Sequence, residues 1–168
     1  MNPTTTAEAP FATRNDLPTS SRTQVADLLN RRLADALDLQ SQCKQAHWNV
    51  KGPQFIALHK LFDDVYADVT EYADLIAERI VQLGGVARGT ARDVAETSEL
   101  DEYPPSISKG EDHVKSLSAA IAAFGSRMRL AIGETDDLDD AATADICTEI
   151  TRGADKWLWF IEAHTQAR

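Results

Sequence analysis

Cysteine is scarce in this chain: Cys43 and Cys147 are the only two. Two thiols cannot build a disulfide framework, which excludes the disulfide-rich secreted scaffolds and fits a reducing cytosol. Helix breakers are also few, with 8 Gly and 6 Pro in 168 residues, and they cluster outside the long periodic segments. That distribution predicts long helices. No uninterrupted apolar stretch approaches the ~18–20 residues that a membrane span needs. The segment Met1 to Pro10 has no basic stretch followed by an apolar run, so it is not expected to act as a secretory signal. Positive charge is in deficit too. Seventeen Lys and Arg face 27 Asp and Glu, a formal net charge of −10. Chains that coat nucleic acid by charge alone are basic, so this balance disfavours simple phosphate binding and suits a protein that handles cations.

What is present fits one soluble domain. The length lies within the ~100–200 residues usual for a single domain. A hydrophobic share of 43 % with 26 % charged residues argues against a disordered chain. Residues 1–18, with Thr4 to Thr6, Pro3, Pro10 and Pro18, have little to bury and are expected to be a mobile or loosely draped polar tail. The folded domain is expected over residues 19–168.

Hydrophobic periodicity predicts four long helices. The first spans about 20–48, with Thr19 and Ser20 as candidate caps and Val25, Leu28, Leu29, Leu33, Ala36, Leu37, Leu39, Cys43 and Ala46 recurring mostly at three- and four-residue steps. Gly52-Pro53 breaks it. The second, about 54–83, carries Phe55, Leu58, Phe62, Val65, Tyr66, Val69, Tyr72, Ala73, Ile76, Ile80 and Leu83, and Gly84-Gly85 closes it. Ala91 to Leu100 predicts a short helix in the connection. Ser108 and Glu111 have capping-box spacing and predict a third long helix, about 108–133, with Val114, Leu117, Ile121, Phe124, Met128 and Ile132 on one stripe. The fourth, about 139–166, carries Ala142, Ile146, Ile150, Trp157, Phe160 and Ile161. No strand-like alternation appears. The expected fold is an all-α four-helix bundle with a short extra helix in its long second-to-third connection, which allows those two helices to run parallel.

The second helix holds two i, i+4 pairs, His59/Asp63 and Asp74/Glu78, each on one helix face. The 11 residues from Asp63 to Asp74 are almost three turns, so all four share nearly one stripe. Imidazole with carboxylates suits iron, manganese or zinc. Yet Asp63 and Asp74 lie ~16 Å apart along the axis at 1.5 Å per residue, so one helix cannot close both pairs on one metal. A second copy packed antiparallel about a two-fold axis can. Positions 63 and 74, and positions 59 and 78, share the midpoint 68.5. That register sets Asp63 beside the partner's Asp74 and His59 beside the partner's Glu78, giving two equivalent sites per dimer. His47, 12 residues before His59 across a tight turn, can face the same site. A carboxylate-rich cluster of this kind can hold two metals. Any one charged i, i+4 pair is ordinarily a solvated face. The joint occurrence with apolar neighbours brings metal binding forward, and pattern alone leaves both readings open.

Asp136, Asp137, Asp139 and Asp140 precede or open the fourth helix, with Asp145 one turn on. Acidic residues favour helix N-termini through the macrodipole, and an acidic pore would also focus cations. Cys43 and Cys147 read as small buried thiols. His113 and His164 lack partners at ligand spacing and are expected at the surface. Trp48 reads as a packed indole with its N–H satisfied, and Trp157 and Trp159 as packing and interface residues.

Three stretches carry a resemblance to a known family: Lys44-Gln45-Ala46-His47-Trp48-Asn49-Val50-Lys51-Gly52, then Phe55 to His59, then Ala77-Glu78-Arg79-Ile80-Val81-Gln82-Leu83-Gly84-Gly85-Val86-Ala87. With Thr143 to Ile146 and Lys156 to Glu162, they resemble the Dps family, the mini-ferritins or DNA-binding proteins from starved cells, over roughly residues 12–164. The resemblance implies a ferritin-like bundle. It also implies a ferroxidase centre, a di-iron site with His47, His59 and Asp63 from one subunit and Asp74 and Glu78 from its two-fold mate. It implies a homo-dodecameric hollow shell built from two-fold dimers, located in the cytoplasm with nucleoid association. In it, Fe(II) is oxidised, preferably by hydrogen peroxide, ferric oxyhydroxide is stored, and DNA is spared oxidative damage. Trp48 would be the aromatic near the centre, and Asp140 and Asp145 match the family's iron-entry pore. The pattern departs from the family at the tail. Residues 1–20 contain Arg14 but no lysine, and the C-terminus has no basic extension. Twelve chains at −10 each carry a formal −120. Weak or absent DNA binding is expected, whatever Arg22, Arg31 and Arg32 attract locally. The alternative is a nucleoid-compacting DNA-binding protein with iron chemistry secondary.

Overall fold

A computed structural model of the chain describes residues 11–166; the tail expectation for residues 1–10 falls outside them. The periodic segments become α1 (Thr19–Asn49), α2 (Phe55–Gln82), α4 (Gly110–Asp136) and α5 (Ala141–Glu162), with the short α3 (Ala91–Thr97) in the connection. No strand forms among the described residues, only an isolated bridge between Lys51 and Lys109. The α1 and α2 helices form one hairpin, turning at Gly52 with φ 111°. The α4 and α5 helices form the other. The N–H of Lys51 donates to the Ser108 carbonyl at 2.8 Å, which pins the start of α4 beside the start of α2. The two helices therefore run parallel, as the long crossover allows. Phe62, Phe124, Leu29, Leu39, Ile76 and Ile121 lie at the bundle centre, each fully or almost fully buried. Burial of each such side chain stabilises by ~1.5–3 kcal/mol relative to exposure.

The end of α2 follows the glycine expectation. Gly84 has φ 86°, and the N–H groups of Gly84 and Gly85 donate to Val81 O and Ile80 O, both at 2.9 Å. This pair of bonds is a Schellman motif. A Cβ on Gly84 would sit 2.5 Å from Phe11 O, because Phe11 N–H bonds Gly84 O at 2.6 Å. Residues 11–18 are thus laid against this end of the bundle, with Leu17 packed on the core.

Several local expectations fail for identifiable reasons. Neither Thr19 nor Ser20 caps α1: Pro18 holds the cap position, and the Thr19 hydroxyl accepts from Arg22 at 3.1 Å instead. The Ser108–Glu111 capping box does not form. The bridge to Lys51 ties down the Ser108 carbonyl, and α4 begins at Gly110 with Lys109 in the cap position and no side-chain cap. The α4 helix runs through Gly133 to Asp136, where the buried Thr135 hydroxyl donates to Ala131 O at 2.8 Å. The α5 helix begins two residues later than expected, since Asp139 turns left-handed (φ 61°) and Asp140 becomes the cap. Ala142 is exposed rather than core, and the buried stripe of α5 runs through Thr143, Ala144, Cys147, Ile150, Ala154, Trp157 and Ile161.

Candidate metal centre

The turn between α1 and α2 brings His47 and His59 face to face. Their rings stack with centroids 3.7 Å apart. His47 Nδ1 lies 2.7 Å from His59 O, and His59 Nδ1 lies 2.8 Å from His47 O. A carbonyl oxygen only accepts, so each Nδ1 must carry the proton. In the neutral ring, each Nε2 then keeps a free lone pair. A hydrogen bond to the far ring nitrogen of a metal-binding histidine normally fixes the tautomer in this way, and here the backbone of each histidine fixes the other's.

Asp63, one turn after His59 on α2, is half-exposed, with Oδ1 3.9 Å from His47 Nδ1. The same oxygen is held by the Lys44 ammonium, which also lies 4.3 Å from the centre of the Tyr66 ring. The hydrogen bond from Lys44 holds the Asp63 carboxyl below the usual carboxylate range. Lys44 was not singled out from sequence, although it sits one turn before His47 on the same helix, and that spacing was the available signal.

Asp74 and Glu78 are exposed farther along α2, and Glu78 lines an open groove of about 470 Å³ with Ala77, Val81, Gln82 and Ala87. Among the described residues of one chain, no three His, Cys, Asp or Glu side chains converge closely enough to hold a metal. The chain therefore presents two separated fragments: His47 from the end of α1 with His59 and Asp63 from the start of α2, and Asp74 and Glu78 about three turns farther along α2.

Trp48 does not pack in the single chain. It is 67 % exposed, beside Phe55 and Ile56, which are also exposed. Trp157 is buried and donates Nε1–H to Asp68 at 2.8 Å, whereas Trp159 is exposed. Cys43 and Cys147 are fully buried, and burial pushes both thiols up to about 12. They stay protonated and make poor metal ligands.

The acidic stretch before α5 divides. Asp145 is exposed. Asp140 is buried: it accepts from Thr143 N at 3.0 Å as the cap of α5, and pairs with the buried Arg79 guanidinium of α2 at 2.8 Å. Arg79 also donates to the Thr143 hydroxyl at 2.8 Å. The arginines of α1 divide similarly. Arg22 is buried and bonds Leu83 O at 2.9 Å. Arg32 is buried between Asp35 (3.3 Å) and Glu99 (2.6 Å). Arg31 alone of the three is exposed. His113 is not a surface residue either. It is fully buried in α4, with Nδ1 2.5 Å from the Tyr103 hydroxyl.

No helix among the described residues is long and apolar enough to cross a membrane. The sequence matches the family described as "Ferritin-like domain" over residues 26–167. It is 45 % identical over 156 residues to the "DNA protection during starvation protein" of Agrobacterium fabrum, covering 93 % of this chain and 96 % of the relative. The fold superposes on the structure "DpsC from Streptomyces coelicolor" with a TM-score of 0.92 at 27 % identity, covering 99 % and 98 % of the two chains. It superposes on "Mycobacterium smegmatis Dps tetragonal form" with a TM-score of 0.87 at 31 % identity, covering 93 % and 95 %. With its parallel α2 and α4, its long crossover and these likenesses, the chain belongs to the Dps family of ferritin-like proteins.

Proposed function

We propose that this protein is a ferroxidase and iron store whose centres form between two-fold-related subunits. In each centre His47, His59 and Asp63 come from one chain, and Asp74 and Glu78 from its mate. The observation that carries this reading is the reciprocal imidazole–carbonyl pair, which leaves the Nε2 lone pairs of both rings free, with Asp63 3.9 Å from the His47 ring. Two nitrogens with carboxylate oxygens suit ferrous iron. The antiparallel register supported by the midpoint 68.5 has an independent consequence. It sets Ile56, 58 % exposed, opposite the partner's Val81, which is 60 % exposed in the single chain. It also brings Trp48 and Phe55 toward the groove beside Glu78, where an apolar surface would be covered.

Iron is the substrate. Two ferrous ions each release one electron, hydrogen peroxide accepts both, and its O–O bond breaks to give two hydroxides. The protein's own residues hold the ions: the clasped histidines present neutral nitrogens without a proton to lose, and the carboxylates compensate the rising positive charge. Ferric product would collect as oxyhydroxide inside a hollow dodecamer in the cytosol, and removing peroxide together with ferrous iron would spare DNA. Asp145 is the exposed member of the two pore acids; Asp140 serves by fixing the N-terminus of α5. Stopped-flow absorbance of ferric product under anaerobic conditions, with peroxide as oxidant, tests the reading. Consumption of one peroxide per two irons is expected, and iron oxidation no faster than in buffer would overturn it.

Lys44 must release Asp63 before that carboxylate can bind iron. Replacing Lys44 with Met is therefore expected to tighten binding of cobalt(II), a redox-silent probe, about two- to five-fold, the scale of a partly exposed ion pair. Titration calorimetry on the assembled protein reads this directly. Weaker binding in the variant would mean that the ammonium helps to organise the site.

The nucleoid-compacting alternative gains little from the basic residues. Two of the three arginines of α1 are spent on internal contacts. A gel shift with metal-free assembled protein and plasmid DNA is expected to show no retardation at near-physiological salt. A persistent shift would put DNA binding beside iron oxidation as a primary activity.

A further inference from the structure

Against Phe62 of α2 lies a polar couple, the buried His113 and the partly buried Tyr103, that iron binding does not use. Tyr103, in the connection between α3 and α4, places its hydroxyl 2.5 Å from His113 Nδ1, with the rings 6.1 Å apart and 22° from parallel. His113 has no exposed surface, and its Nε2 is buried without a hydrogen-bond partner. The His113 ring lies 6.4 Å from that of Phe62, the residue before Asp63 and one turn after His59. His113 thus backs onto the ligand-bearing segment of α2.

A phenol is hard to oxidise unless its proton leaves with the electron. A neutral imidazole nitrogen within hydrogen-bond distance supplies the acceptor. Burial favours the neutral form of both partners, pushing the Tyr103 phenol up and His113 down. The geometry points to Tyr103 as a one-electron donor to the ferroxidase centre, with His113 as the base that takes and returns its proton.

This inference rests on the ferroxidase reading and deepens it. Peroxide takes two electrons, and a half-loaded centre with one ferrous ion supplies one. Tyr103 supplies the other. The O–O bond breaks to give two hydroxides, ferrous iron becomes ferric, the phenol becomes a neutral phenoxyl radical, and its proton moves to His113 Nδ1. The imidazolium so formed is disfavoured in its buried site, so the couple resets when a second ferrous ion returns the electron. No hydroxyl radical is released.

The test has two arms on the assembled full chain, with assembly and helix content checked for each variant. In the metal-free arm, a photogenerated one-electron oxidant is applied and tyrosyl radical is read by electron paramagnetic resonance. A signal is expected that is lost in Tyr103→Phe, kept in Tyr66→Phe and Tyr72→Phe, and weakened in His113→Gln. A signal unchanged in Tyr103→Phe would overturn the assignment. In the iron arm, one ferrous ion per centre is mixed with excess peroxide and freeze-quenched, and the same signal is expected. Iron oxidised without a Tyr103 radical would overturn the donor role. Iron left unoxidised would instead overturn the ferroxidase reading, and the metal-free arm would still decide whether the couple is redox-active.

Discussion

Replacing His47 and His59 together with alanine is expected to lower the initial rate of iron oxidation by about two orders of magnitude or more. Losing only an outer partner of a metal-binding histidine typically costs 10–100-fold in affinity or activity, and here the ligands themselves go. Each ring is bound to the other residue's backbone carbonyl, which alanine keeps, so a single variant removes one donor and the ring stacking but leaves the remaining ring's hydrogen bond in place. The folding cost is small by comparison. Each lost side-chain hydrogen bond is worth about 1 kcal/mol, and the bulk of the core does not touch these rings. The variant should therefore assemble normally and differ in kinetics alone. Oxidation at the unaltered rate would remove both histidines from the site.

Asp140→Ala is expected to destabilise the fold by about 3–5 kcal/mol, because it strands the Arg79 guanidinium between α2 and α5. Loss of the α5 cap adds about 1 kcal/mol. At about 2–4 °C per kcal/mol for a chain of this size, the calorimetric midpoint should fall by roughly 8–24 °C. Adding Arg79→Met should recover part of the loss, since it removes the uncompensated charge. An unchanged midpoint with slower iron uptake would return Asp140 to an open pore, the role first inferred from its place in the acidic run.

The architecture was legible because each long helix carries its own apolar stripe, and 3.6-residue periodicity survives in any tertiary setting. Termini were less legible. Whether Ser108 caps α4 depends on a strand-like contact with Lys51, which no local window contains. Polar residues on core stripes misled for the same reason. His113 lies one turn before Leu117 on the buried face of α4, and its partner Tyr103 comes from outside the helix. Asp35 is fully buried in α1, and its partners Arg32 and the N–H of Glu99 come from its own helix and from the connection after α3. The proposed metal centre was legible only as two half-sites: the spacing along α2 is consistent with a two-fold register, and a single chain brings no three candidate ligands together among its described residues. Trp48, read as a packed indole, is 67 % exposed among the described residues of a single chain.

Subunit complementation is the most direct test of an intersubunit centre. Chains carrying His47→Ala and His59→Ala are co-assembled with chains carrying Asp74→Ala and Glu78→Ala. Each parent shell alone should be inactive. With random pairing, half of the two-fold dimers are mixed, and each mixed dimer rebuilds one complete site of its two. The mixture should recover about a quarter of the wild-type rate. No recovery from correctly mixed shells would mean that all five ligands act within one chain, and would contradict the centre proposed here.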